Sequence, residues 1–214
     1  GCGKSTLLQV IPRLFNVPRG AVFIDGVDIL DIPLKSLRQS IGFVTQEVII
    51  FSDTIRNNVL FGREGFSEEA VVKALKTAEI YEEIMALEKG LDSLLGERGI
   101  TLSGGQRQRL SIARAILTDP PILIMDDALS MVDTRTEERI LNQILELRKG
   151  KTNLIVSHRI STISRAEGIG VLVDGELSET GEHQALLQKG KEYAKLYERQ
   201  RLEQELEIEP RNNG

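Results

Sequence analysis

The chain has 214 residues, 41% of them hydrophobic and 28% charged, and its 27 Lys and Arg against 32 Asp and Glu leave a formal charge of −5. That length buries a core as one large domain or two small ones. The acidic balance speaks against a nucleic-acid backbone as the main ligand, and the single cysteine excludes an intrachain disulfide. No apolar run approaches the roughly 18–20 residues of a membrane-spanning helix. The first residues do not read as a signal peptide and do not begin with methionine, so the chain is expected to be a soluble module and a fragment.

The chain opens on Gly1-Cys2-Gly3-Lys4-Ser5-Thr6, the back half of the pattern G-x-x-x-x-G-K-[ST]. Such a loop turns backbone N–H groups inward around phosphate, and its glycines permit the close approach. Lys4 adds a cation at the outer phosphates, and Ser5 offers a hydroxyl to Mg2+. The apolar stretch from Thr6 to Phe15 places the loop at a helix N-terminus, where the macrodipole also favours anions. The opening glycine of the pattern belongs three residues upstream of Gly1, so the chain is expected to start inside its own phosphate loop.

Ala21 to Ile24 reads as a short strand closed by the turn Asp25-Gly26, and Ser40 to Thr45 as a strand ending at Gln46. Ser67 to Ala78 and Ile80 to Leu87 carry helical spacing, with Ser67 ahead of Glu68 and Glu69 as a capped start. Gly104 to Leu117 predicts a further helix through the spacing of Leu110, Ala113, Ile116 and Leu117. Ile122 to Met125 and Asn153 to Val156 read as buried strands, short, apolar and bounded by polar residues. Thr136 to Leu147 is helical, and Gly170 to Val173 is a late strand before the turn Asp174-Gly175. Apolar strands alternating with helices predict a parallel sheet covered by helices on both faces. After Leu196 the chain is dense in Glu, Arg and Gln: either a solvated helical extension or disorder, with disorder expected from Pro210.

Two further strings carry chemistry. The strand from Ile122 delivers Asp126 and Asp127 at its C-terminal end, where open α/β sheets bind ligands. One carboxylate there can hold Mg2+, commonly through water, and the other can orient an attacking water. Alone, the pair reads equally well as a helix cap and its neighbour; with Gly3-Lys4-Ser5 it matches what a P-loop enzyme requires. Leu102-Ser103-Gly104-Gly105-Gln106 reads as a second phosphate-binding device, with small residues, N–H groups and a hydroxyl at a helix start, or in isolation as a flexible helix start. No His/Cys cluster indicates a transition metal.

In this order the strings resemble the nucleotide-binding domain of ABC transporters, from Gly1 to about Leu196. Gly1, Cys2, Gly3, Lys4, Ser5 and Thr6 resemble the Walker A motif, Gln46 the Q-loop glutamine, Leu102 to Gln106 the family signature, and Ile122 to Asp126 Walker B. Ser130-Met131-Val132-Asp133 resembles the D-loop, and His158 between Ser157 and Arg159 the switch histidine. The resemblance implies an α/β P-loop NTPase with a RecA-like parallel-sheet core (1–46 and 119–196), an inserted helical signature subdomain (about 47–118) and a charged tail (197–214). It implies ATP and Mg2+ as cofactors, with Ser5, Gln46 and Asp126 at the metal and Asp127, His158 and Gln46 at the reaction. It also implies a head-to-tail pair of such domains, in which Ser103, Gly104, Gly105 and Gln106 close on the ATP held by the partner. Lacking the start of its phosphate loop, the 214-residue chain by itself is expected to hold ATP weakly.

The segment Phe51 to Val59 and the string Gly96-Glu97-Arg98-Gly99 resemble the parts of exporters that face a transmembrane domain. That domain is therefore expected to dock through 46–62 and 96–99, at the cytoplasmic face of a membrane and without nucleic acid. One position departs from the family: Asp127 stands where glutamate normally polarises the attacking water. Its carboxylate is set back by roughly 1–1.5 Å, a displacement that can cost about 10²-fold in rate. Heterodimeric exporters of the family pair such a degenerate site with a competent partner, so two readings stand: a degenerate-site subunit, or a slow working homodimer. Cys2 is read as a spacer, His183 as a structural helix-start residue, and Arg107, Arg109 and Arg114 as solvated-face or helix-packing residues.

Overall fold

The computed structural model describes residues 3–96 and 99–208. These fall into two compact units: Leu8–Val156 is one, and the residues up to Leu7 with those from Ser157 onward are the other. Gly1, Cys2, Glu97, Arg98 and the segment from 209 lie outside the described residues, and with them the expected disorder from Pro210.

The larger unit is built on three parallel strands, β3 (Ile41–Val44), β4 (Ile122–Asp126) and β5 (Thr152–Val156), with β4 in the middle. Val44 lies opposite Met125 and Met125 opposite Ile155, so the C-terminal ends of the strands share one edge. Both faces are covered, which is why these strands read as unbroken apolar runs. On one face, Val44, Leu123 and Met125 join a core with Leu75 of α4 (Glu68–Thr77), Leu110 and Ile112 of α6 (Gly104–Ile116) and Ile140 and Ile144 of α7 (Thr134–Leu147). On the other, Ile41 and Ile124 pack with Leu8, from the end of α1 (Lys4–Val10), and with Ile29 and with Leu37 of α2 (Leu34–Gln39). Strand alternation sorts neighbouring residues of β4 to opposite cores.

The predicted helices are present with the predicted start: Ser67 caps α4 by accepting from the Ala70 N–H. The helix expected at Ile80 to Leu87 is α5 (Tyr81–Met85), followed by one 3-10 turn at Gly90–Asp92, and a short helix that was not expected, α3 (Ile55–Leu60), precedes α4. Gly42 is a packing glycine, because a Cβ there would stand 2.6 Å from the Ala115 carbonyl oxygen and 2.8 Å from Pro120 Cγ. Behind α7, Arg148 is 1% exposed. Its guanidinium donates to the carbonyls of Pro120 at 2.8 Å and Thr152 at 3.2 Å and to Asn153 Oδ1 at 2.6 Å, tying the entries of β4 and β5 together.

The strand expected at Ala21 to Ile24 is shorter and runs in a hairpin. β1 (Phe23–Ile24) pairs antiparallel with β2 (Val27–Asp28). The late strand, β6 (Ile169–Val173), likewise pairs antiparallel with β7 (Glu176–Gly181) in the smaller unit. The reason is in both turns: Asp25 and Gly26, and again Asp174 and Gly175, have positive φ at both positions, the geometry that joins antiparallel strands.

In the smaller unit α8 (Ile160–Ile163), α9 (His183–Lys189) and α10 (Glu192–Ile208) surround a core of Ile160, Ile169, Leu186 and Tyr193. His183 has the structural role expected, its Nδ1 lying 2.8 Å from the Tyr193 hydroxyl. The charged tail is helical through Ile208, with Glu198–Arg201, Arg199–Glu203 and Arg201–Glu205 pairs along its surface. Among the described residues no helix is long and apolar enough to cross a membrane.

Candidate functional site

The phosphate-loop residues and His158 belong to the smaller unit; Gln46, the signature and the two aspartates belong to the larger. Gly3 has φ +89, a left-handed conformation that glycine adopts without cost. Its carbonyl accepts from Leu7 N–H at 3.0 Å, and α1 starts at Lys4. Lys4, Ser5 and Thr6 thus occupy the first turn of a helix entered from a glycine turn. Gly1 and Cys2 lie outside the described residues.

In the larger unit, Asp126 ends β4 and is 3% exposed, while Asp127 is half-buried just beyond it. Gln46 follows the neighbouring strand β3 by two residues, on the same edge of the sheet. Asp127 turns the chain away from the strand: its N–H donates to the Val156 carbonyl at 3.0 Å, and its φ is +48. Aspartate is among the few residues that take this conformation readily. The oxygen donors offered by Ser5, Gln46 and Asp126, a hydroxyl, a carboxamide and a carboxylate, suit Mg2+ chemically.

The signature heads α6 through a reciprocal cap. Ser103 Oγ accepts from the Gln106 N–H at 3.2 Å, and Gln106 Oε1 accepts from the Ser103 N–H at 2.8 Å. Gln106 Nε2 also donates to Glu83 at 2.8 Å, and Arg109 grips the same carboxylate at 2.6 Å and 3.0 Å. Burial works to raise the Glu83 carboxyl, yet the hydrogen bonds from Arg109 and Gln106 hold it below its usual range. Gly105 is required locally as well, whereas the close neighbour of Gly104 is the movable end of the exposed Met131 side chain. A Cβ on Gly105 would lie 2.8 Å from the Met131 carbonyl oxygen, and one on Gly104 2.4 Å from Met131 Sδ.

Behind the signature lies a residue that sequence reasoning missed. Gln108 is 1% exposed. Its Oε1 accepts from the Met131 N–H at 2.8 Å, and its Nε2 donates to Ser130 Oγ at 2.9 Å and reaches the Asp127 carbonyl at 3.5 Å. Ser130 Oγ in turn donates to the Asp127 carbonyl at 3.0 Å. One carboxamide therefore joins the signature helix, the Ser130–Asp133 loop and the residue after the buried aspartate. The signal was present: Gln108 sits one turn before Ser111 and Ile112, on the buried face of α6. Gln108→Leu leaves the Met131 N–H and the Ser130 hydroxyl without this partner, at a cost of about 1–3 kcal/mol. Amide hydrogen exchange at Met131 is expected to speed by roughly tenfold, about 1.4 kcal/mol of local opening; unchanged exchange would dismiss the link.

At the far end of α6, Arg114 proves to be a packing residue rather than a solvated one. It donates to the carbonyls of Asn58 at 2.8 Å and Ile49 at 2.9 Å, and lies over the rings of Phe61 at 4.8 Å and Phe51 at 5.7 Å. Burial, with the nearby Arg63 charge, lowers it to about 10, which leaves it protonated at neutral pH. Ile49, Phe51 and Phe61 beside it, and Leu94 at its bridge to Thr54, are exposed apolar side chains. Phe61 holds a positive φ of 53 at the end of α3, an unusual conformation for a bulky residue.

A parallel sheet with helices on both faces and two aspartates at the carboxyl end of its central strand is consistent with a P-loop NTPase core. The ABC transporter family model matches residues 1–130, and the chain belongs to that family. It is 48% identical over 200 residues to an ATP-dependent lipid A-core flippase of Syntrophus aciditrophicus, covering 94% of this chain and 33% of the flippase. A putative multidrug export ATP-binding/permease protein of Staphylococcus aureus is 48% identical over 202 residues, covering 94% of this chain and 35% of that protein. Among solved structures, a bacterial Atm1-family ABC exporter with ATP bound superposes with a TM-score of 0.87 at 41% identity, over 93% of this chain and 35% of the exporter chain. The chain thus spans about a third of the length of the relatives it matches.

Proposed function

We propose that this chain is the domain of an exporter-type ABC transporter that binds and hydrolyses ATP, driving export through head-to-tail pairing with a second such domain. The observation that carries the reading is the signature itself: a capped, glycine-headed helix tied through Gln108 to the loop behind Asp127. A helix start tied to that loop, in a chain with its own phosphate loop, suits a device that senses a partner's nucleotide.

In this reading Gly1 to Thr6 cradle the phosphates of ATP, with Lys4 against their charge. Ser5, Gln46 and Asp126 hold Mg2+, which when bound neutralises phosphate charge. Asp127 and Gln46 orient the attacking water, and His158 stabilises the γ-phosphate as charge develops. Ser103 to Gln106 close on the partner's ATP. The apolar patch of Ile49, Phe51, Phe61 and Leu94, within and beside the 46–62 and 96–99 segments, supports docking of a transmembrane domain at the cytoplasmic face of a membrane. Arg114 then links that surface to the signature helix.

The test uses the complete transporter in lipid vesicles. Lys4→Ala is expected to abolish ATP binding, whereas Ser103→Arg is expected to leave binding intact and lower turnover at least tenfold. ATP hydrolysis that survives both changes would overturn the reading. A second reading, in which this site mainly holds ATP and lends its signature to a competent partner, is favoured by Asp127 beside an unaltered Leu102 to Gln106.

A further inference from the structure

Helix α8 begins at Ile160, and the residue at its N-cap, Arg159, makes no side-chain capping hydrogen bond. A helix start without a local cap leaves backbone N–H groups in need of a partner. The partner here comes from 40 residues away: the Ile160 N–H donates to Gln200 Oε1 at 2.9 Å. The same carboxamide turns its Nε2 to donate to the carbonyl of His158. On the other side, the Arg159 N–H donates to Ser157 Oγ at 3.0 Å. The backbone of the 157–160 loop is thus held at both ends, by a serine of its own and by a glutamine of α10. His158 itself is exposed. A buried ring is placed by its packing; an exposed one is placed by the backbone that carries it.

We propose that Gln200 is a positioning residue for His158, so that α10 sets how the imidazole is presented to the γ-phosphate. The proposal rests on the hydrolytic role given to His158 above. Gln200 touches no nucleotide in this scheme. It acts by fixing the carbonyl of residue 158 and the N–H of residue 160 with one rigid, planar group. Its consequence is regulatory: anything that shifts or frays the charged C-terminal helix also loosens the histidine loop.

The experiment is a double-mutant cycle in the complete transporter, with any non-identical partner site silenced so that only this chain's site turns over. Gln200→Leu keeps the volume and removes both hydrogen bonds. It is expected to lower kcat roughly tenfold, the scale of a sub-ångström misplacement, with KM for ATP unchanged. Gln200→Glu keeps the acceptor for the Ile160 N–H and loses the donor to His158, and is expected to fall between. In the His158→Ala background, Gln200→Leu is expected to have no further effect, because its action passes through the histidine. An unchanged kcat in Gln200→Leu, a matching rise in KM, or the same tenfold loss with and without His158 would overturn the proposal alone. If His158→Ala by itself left turnover intact, the hydrolytic role of the histidine would fall, and the proposal with it.

Discussion

Asp127→Glu is expected to raise ATP turnover of the complete transporter by up to about 10²-fold, the penalty that a misplacement near 1 Å imposes on a reacting group. The added methylene carries the carboxylate outward from the end of β4, where Asp127 leaves the sheet. The structure adds a cost that side-chain length alone does not reveal. With φ at +48, residue 127 sits in a conformation that aspartate tolerates and glutamate does not favour, so the faster variant is expected to be less stable by about 1 kcal/mol. Activity and stability should therefore move in opposite directions. Steady-state hydrolysis and thermal unfolding of the same preparation check both arms. Unchanged turnover, in a chain that assembles an active homodimer by itself, would remove the degenerate-site reading.

Arg148→Met is expected to have the largest effect on stability, a loss of about 3 kcal/mol and a fall in the thermal midpoint of roughly 10 °C. The guanidinium is enclosed and burial holds it below its usual range, an effect that the Asp119 charge partly offsets. Its bonds run to the Pro120 and Thr152 carbonyls and Asn153, which precede or begin β4 and β5. Methionine fills the space and relieves the burial of a charge, which limits the loss. It cannot replace the donor to the buried Pro120 carbonyl. Arg148→Lys should recover little, because one ammonium cannot span acceptors arranged around a planar fork. A midpoint within 2 °C of the parent would show that water reaches these carbonyls.

Much of the candidate site was legible before any coordinates, because it is written in contiguous strings. Gly3-Lys4-Ser5, Ile122 to Asp127 and Leu102 to Gln106 each combine a backbone geometry with a side chain, and each lies at the helix start or strand end expected of it. The hairpins were half legible. Asp25-Gly26 and Asp174-Gly175 were read as turns, but their strands were assigned to the parallel alternation, although the left-handed pair in each turn dictates antiparallel return. The C-terminal helix is not decided by its sequence, which offers charges and little apolar face. Contacts with α9 and α8, together with ion pairs along its surface, decide for the helix.

What the sequence supplied by itself was the expected chemistry: strings that resemble a phosphate loop, a carboxylate pair and a signature, and an aspartate where the family's glutamate is expected. Local strings suffice for that, since each needs only its own backbone conformation. Tertiary structure alone decided what stands behind those strings. Gln108, Arg114, Arg148 and Gln200 are ordinary polar residues in sequence, and their bonds run to groups 19 to 65 residues away or to carbonyls beside two strand starts. A hydrogen bond has no sequence signature at that distance. It exists only because the fold has removed water from the carbonyl or N–H that needs it.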